Sequence, residues 1–274
     1  MPQPAPDPAA APTQIIAISN QKGGVGKTTT AVNLATALAA SGCTVLLIDL
    51  DPQGNASTGL GIGADQRTLG SYCVLILHTP PEDAVRPSGI PNLDVIPAEP
   101  DLAGAEIELV ALDRRQTRLR DALAPLRAGQ PRYDYVIIDC PPSLGLLTVN
   151  ALVAASAVLV PLQCEFYALE GISGLMRTIE AVQRGYNPSL RLSGIVLTMY
   201  DKRNNLADQV AADARGFFGT KVFETVIPRN IRITEAPSYG KPVLLYDFRS
   251  PGAQAYVRLA AELLRRERAA GAGA

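Results

Sequence analysis

Residues 19–30, Ser-Asn-Gln-Lys-Gly-Gly-Val-Gly-Lys-Thr-Thr-Thr, constrain this chain more than any other stretch. Before them, Gln14, Ile15, Ile16, Ala17 and Ile18 read as a short buried strand. After them, residues 31–40 read as a helix with Val32, Leu34, Ala35 and Leu38 at its apolar positions. A strand, a glycine-rich turn and a helix start, in that order, are the setting of a phosphate-binding loop. Glycine has no Cβ, so the backbone curls and aims several N–H groups at one anion. The helix N-terminus adds a partial positive charge at the same point. In this setting Lys27 reaches the β- and γ-phosphates, and the Thr28 hydroxyl takes a Mg²⁺ position. Lys22 stands five residues earlier. With Lys27 on the phosphate side, Lys22 is either an ordinary surface lysine or a group that reaches nucleotide in a second subunit.

Carboxylates follow two other apolar runs. Val45, Leu46, Leu47 and Ile48 lead to Asp49 and Asp51, and Tyr135, Val136, Ile137 and Ile138 lead to Asp139. Such runs read as buried parallel strands, and in open α/β sheets the ligand lies beyond the carboxyl ends of the strands. Asp49 and Asp51 therefore fall near the glycine loop, although either could instead cap the segment that follows. Asp139 has the place of a carboxylate that holds the water shell of Mg²⁺. Pro141 and Pro142 end that strand and stiffen the loop beside it.

Further strands are expected at 93–96, 157–162, 192–199 and 222–227, and helices at 105–127, 168–183, 205–218 and 250–267. Residues 56–92 read as irregular, with a short helix near 69–77. The charges at 113–115 and 118–121 read as a solvated face. Alternating strands and helices predict an α/β fold, a mostly parallel twisted sheet with helices on both faces. A single domain is expected over residues 14–268, between a Pro/Ala-rich disordered tail at 1–13 and a flexible tail at 269–274.

Composition excludes more than it selects. The chain carries 25 basic and 26 acidic side chains, so total charge points to no partner. His78 is the only histidine, which disfavours histidine-based catalysis or chelation. Cys43, Cys73, Cys140 and Cys164 form no C-x-x-C pair and read as buried free thiols. No run of 18 apolar residues is long enough to span a bilayer.

Several long motifs in one order now resemble a known family. They are residues 20–29, the run Asp-Leu-Asp-Pro-Gln-Gly-Asn at 49–55, Ile-Asp-Cys-Pro-Pro-Ser-Leu at 138–144, residues 163–171, and Val-Ile-Pro-Arg-Asn at 226–230. From about residue 14 to about residue 264 the chain resembles the ParA/Soj partition ATPases, in the ParA/MinD group of SIMIBI-class P-loop NTPases. The resemblance implies ATP and Mg²⁺ as cofactors, bound at Lys22, Gly23, Gly24, Val25, Gly26, Lys27, Thr28 and Thr29. It implies that Lys22 crosses a dimer interface to the partner's phosphates, and that Asp51 positions the attacking water. Asp139 would hold Mg²⁺ through water, and Pro228 and Asn230 would line the adenine. It further implies a homodimer on ATP binding and nonspecific double-stranded DNA as a ligand. A ParB-like centromere-binding partner would stimulate slow hydrolysis, in a cytoplasmic, nucleoid-associated protein.

Residues 184–249 hold ten basic side chains against six acidic ones, which is either a solvated surface or a DNA-binding face. Arg203 and Arg232 lie in loops after strands, at positions that resemble DNA-contacting arginines of the Soj branch. One alternative is a MinD-like membrane-associated ATPase. Its amphipathic end is not supported here, because the last ten residues have no bulky apolar side chain. A cluster-bearing enzyme would need exposed cysteines flanking the site, and a scaffold without turnover would leave the positions of Asp51 and Thr28 unfilled.

Overall fold

The computed structural model describes residues 12–127, 132–165 and 168–271 of the chain. β1 (Gln14–Ile18) runs through the glycine loop into α1 (Lys27–Ala40). β2 (Val45–Asp49) leads to α2 (Asn55–Gly59), α3 (Ser71–Ile76) and α4 (Pro81–Ala84), and then to β3 (Arg86–Ile90) and β4 (Leu93–Ile96). α5 (Ala105–Ala111), α6 (Arg118–Ala122) and α7 (Ala124–Arg127) precede β5 (Tyr135–Asp139), α8 (Leu146–Ala154) and β6 (Ala157–Gln163). α9 (Ala168–Gly185), β7 (Arg191–Tyr200), α10 (Asn205–Phe218) and β8 (Val222–Pro228) continue the alternation. α11 (Ile231–Glu235), α12 (Val243–Tyr246) and α13 (Pro251–Gly271) follow.

The strands form one sheet in the order β3-β4-β2-β5-β1-β6-β7-β8, all parallel except the β3–β4 pair. Residue alternation sends each strand's side chains into two cores. Ile15, Ala17, Leu46 and Ile48 pack with α3, α5, α6 and α8–α10, whereas Ile16, Ile18, Val45 and Leu47 pack with α1, α12 and α13. A strand buried on both sides has no polar face, which is why β1, β2 and β5 read as unbroken apolar runs. β1 sits between β5 and β6, the chain having gone outward to one side before β5 and to the other after it. The glycine loop therefore opens at the point where the strand order reverses, the usual ligand crevice of such sheets.

Four expectations need correction. The helix expected at 105–127 is broken: Leu112 is extended and Arg114 has a left-handed φ of 55°. Ile107, one of its apolar positions, is 80% exposed. Arg118 is not on a solvated face. Its guanidinium is buried and donates to Leu75 O (2.6 Å) and Ile76 O (2.9 Å), the last carbonyls of α3, a favourable place for a cation. β3 lies in the stretch read as irregular; it contains Pro87 and Gly89 and pairs with a register shift, so it lacks an alternating signal. α8 gave no helical period because Leu147, Thr148 and residues 150–154 are buried on every side. Two of the positions assigned to the expected tails are ordered. Thr13 is buried and donates to Tyr133 O (2.7 Å), and α13 extends to Gly271. Residues 1–11 and 272–274, like Phe166 and Tyr167 of one quoted motif, lie outside the described residues.

Candidate nucleotide site

The loop after β1 is held from both sides. Asn20 donates to Pro161 O (2.7 Å) on β6 and accepts from the Lys22 N–H (3.0 Å). Thr198 on β7 donates its hydroxyl to Val25 O (2.8 Å). Gly24 and Gly26 have φ of 73° and 87°, the left-handed region that a glycine enters without cost. Gly26 then begins α1, whose first N–H groups face the loop. Asn20 belongs to the quoted motif, but Thr198 carried no signal in sequence, because its role exists only once β7 lies beside β6.

Lys27 fills the loop's interior. It is buried, and its Nζ donates to Lys22 O at 3.1 Å. Burial lowers its pKa; Asp139 first, and then Asp51, oppose that shift. Lys22 points elsewhere. Its Nζ lies 3.5 Å from Glu165 Oε2, and the side chain is 40% exposed at the rim. Gly23 has an ordinary φ, and a Cβ built there would meet nothing within 4 Å. The chain's own fold therefore gives no reason for glycine at 23.

The carboxylates separate into different roles. Asp49 and Asp139 are register partners on β2 and β5 and both are completely buried. Asp49 accepts from the Ser57 hydroxyl (2.6 Å) and N–H (2.8 Å) and from the Asp51 N–H (3.3 Å). It organises the turn into α2, the capping role that the sequence left open. Burial still raises its pKa to about 6. Among the described residues, Asp139 has no hydrogen bond to either oxygen. The Thr28 hydroxyl stands near enough to favour its charge without reaching hydrogen-bond geometry. Burial first, and the field of Asp49 second, hold the Asp139 carboxyl well above the usual range. A buried carboxylate without donors beside a hydroxyl fits a hydrated divalent cation. Asp51 lies past the end of β2, nearly buried, and accepts from the Gln53 N–H (3.0 Å).

The remaining predicted positions are not all brought to the loop. Thr28 and Thr29 line a cavity of about 270 Å³ with Asn55, Lys241 and residues of α11–α12. Lys241, a cation facing the loop helix from 200 residues downstream, was missed in the sequence. Pro228 and Asn230 line a different cavity, of about 550 Å³, with Arg203, Arg229 and Arg258. Asn230 spends its Oδ1 on capping α11 through the Arg232 N–H (3.0 Å). Arg232 does not line that cavity. Both arginines are paired: Arg203 with Asp201 (2.8 and 3.0 Å), and Arg232 with Glu235 (2.8 Å) and Asp247 (3.4 Å). Cys140 is completely buried, and burial pushes its thiol far up, so it presents no thiolate for a shared cluster.

The chain is 62% identical over 260 residues to the chromosome partitioning protein ParA of Caulobacter vibrioides, covering 95% of this chain and 97% of that one. The chain belongs to the ParA/Soj family. The sporulation initiation inhibitor protein Soj of Bacillus subtilis is 54% identical over 250 residues, covering 91% and 98% of the two chains. The AAA domain family matches residues 13–192. Among solved structures, the Mycobacterium smegmatis protein described as cobyrinic acid a,c-diamide synthase superposes with a TM-score of 0.81 at 39% identity. The match covers 93% of this chain and 96% of that one, and that protein was crystallised with ADP and with an ATP analogue, each with magnesium. The ParA/Soj match spans both the glycine loop and the β7–β8 region, so membership rests on nearly the whole molecule. No helix among the described residues is long and apolar enough to cross a membrane.

Proposed function

We propose that the protein is a DNA-partition ATPase that binds ATP and Mg²⁺ between two copies of itself. The observation that carries this reading is the division of labour between the two lysines. Lys27 occupies the inside of the loop, and Lys22 stands at its rim, its ammonium held among the described residues by an exposed ion pair with Glu165. Such a pair contributes roughly 0–1 kcal/mol, so a phosphate presented from outside displaces it readily. Gly23 supports the same reading, since glycine there leaves space for a close approach that the monomer does not use.

Phosphoryl transfer is mainly positioning and charge neutralisation. When bound, magnesium would supply charge neutralisation for the phosphates. Lys27 holds β/γ-phosphate, Thr28 and Asp139 hold the ion's shell, and Asp51 orients a water for in-line attack. Asp51 is carried by the turn that Asp49 fixes, so its carboxylate is preset rather than searching. Hydrolysis removes the contacts made by the γ-phosphate, and the dimer loses its bridge. A ParB-like partner that completes the site would accelerate this step.

Lys22→Ala should retain ATP binding within about tenfold, because it removes only a rim contact worth ~1 kcal/mol in the monomer, but it should fail to dimerise. Asp51→Ala should accumulate the ATP dimer, since water is no longer aligned. Light scattering with ATP measures both. A dimeric Lys22→Ala protein, or a monomeric Asp51→Ala protein, contradicts the sandwich.

DNA binding is assigned to the face carrying Arg203 and Arg232. Each arginine already holds a carboxylate in the geometry in which it would hold a phosphate oxygen, and Arg203 is 89% exposed. Each phosphate neutralised on duplex DNA adds about 0.9 to the slope of log affinity against log salt. Arg203→Glu and Arg232→Glu should each abolish ATP-dependent DNA binding and leave ATP-dependent dimerisation intact. Titration with random-sequence duplex at several salt concentrations tests this; parental binding by both variants moves the DNA face elsewhere.

A further inference from the structure

A continuous set of contacts joins the phosphate-loop helix to the segment that carries Arg232. Asn33 is buried on α1, less than two turns from Lys27. Its Nδ2 donates to Thr29 O (2.8 Å), and its Oδ1 accepts from the Val243 N–H (2.8 Å), the first of α12. Asp247, at the other end of α12, pairs with Arg232 Nε at 3.4 Å. A second link starts from the Asp51 turn. α2 follows that turn directly and ends at Gly59; Gly61, two residues further on, lies against Gly240. A Cβ on Gly61 would stand 3.1 Å from Gly240 O, and one on Gly240 would stand 2.7 Å from Gly61 Cα. Both glycines have left-handed φ, 79° and 61°. The two backbones thus touch with no side chain between them, and close-packed contacts of this kind transmit strain.

We propose that Asn33, Gly61 and Gly240 are positioning residues that transmit nucleotide state from the loop and the Asp51 turn to residues 231–246, and so set where Arg232 stands. One link reads the loop helix and the other reads the turn that senses the γ-phosphate, and both end on the same short segment. Neither needs the nucleotide to touch that segment. The consequence for Arg232 rests on the DNA-binding reading above; the coupling itself does not.

The test uses the full chain at saturating ATP–Mg²⁺ or ADP–Mg²⁺ and compares amide hydrogen exchange of residues 231–246 with that of residues 22–30. In the parent, exchange over 231–246 should differ between ATP and ADP. In Gly240→Ala, that difference should fall by more than half, while nucleotide still protects residues 22–30. An ATP–ADP difference of parental size in Gly240→Ala, or none in the parent, overturns the coupling. If Gly240→Ala does not fold, Asn33→Ala decides by the same criteria, because it deletes the link through Val243 without adding a clash. DNA titration is read separately. The parent's ATP-over-ADP ratio of DNA affinities should fall toward 1 in the uncoupled variant. If the parent shows no ATP-dependent DNA binding, the DNA reading fails while the exchange result stands by itself.

Discussion

Lys27→Ala should bind ATP–Mg²⁺ at least 100-fold more weakly than the parent. The ammonium is a point charge buried inside a loop of backbone N–H groups, whereas Lys22 is paired at the rim with Glu165. Hydrogen bonds from a charged donor are worth about 1.5–3 kcal/mol each, so losing contacts to two phosphates removes roughly 3–6 kcal/mol. The neighbours deepen the loss. Lys27 is the nearby cation that opposes the field of Asp49 and Asp51 at Asp139. Without it the carboxylates repel both the nucleotide and each other, and Asp139 retains its proton more strongly. Calorimetric titration with ATP–Mg²⁺ gives the number directly. An affinity within threefold of the parent would remove Lys27 from the site.

Asp139→Asn should have two opposite effects. Without nucleotide the variant should be more stable than the parent at neutral pH, and with nucleotide it should gain nothing from Mg²⁺. The reason is the orphaned carboxylate between Asp49 and Thr28. A group whose pKa is raised by folding binds more protons folded than unfolded, so stability falls as pH rises. For Asp49 that loss spans about pH 4, the ordinary carboxylate value, to about 6 in the folded protein. Asp139, displaced further in the same direction, extends the loss upward. An amide carries no charge and can donate to the Asp49 carboxylate, which removes one penalty and relieves the other. The expected gain at pH 7.5 is about 2–3 kcal/mol, or roughly 4–10 °C in the unfolding midpoint. The parent's midpoint should drop as pH rises from about 4 through about 6 and onward, and the variant's should stay flatter. Mg²⁺-dependent ATP hydrolysis should fall at least 100-fold, since an amide does not hold the ion's water shell with a full charge. Thermal unfolding across pH, with and without ATP–Mg²⁺, tests all of this. An unchanged midpoint and an intact Mg²⁺ effect would mean that Asp139 is solvated or paired by other means.

The glycine loop, the two strands ending in aspartate and the alternation of helix and strand were legible in the chain because each is encoded by neighbours. A loop that needs left-handed glycines at 24 and 26, followed by a helix start, is fixed by residues within a few positions of one another. A strand buried on both faces announces itself by its apolar run. The ParA/Soj relationship was legible for the same reason, as a sequence of such local motifs in one order. Tertiary structure decided everything that depends on strand order and register. Asp49 and Asp139 lie 90 residues apart, and only their register makes them adjacent; Ser57 then satisfies one, and among the described residues the other has no donor. The partners of Arg118, Thr198 and Asn33 are likewise distant in the chain, so their side chains looked like surface, strand or helix residues. A left-handed φ explains a glycine at 61 and at 240 taken singly, but the close approach of the two is not encoded in either local sequence, because it exists only once the segments are brought together.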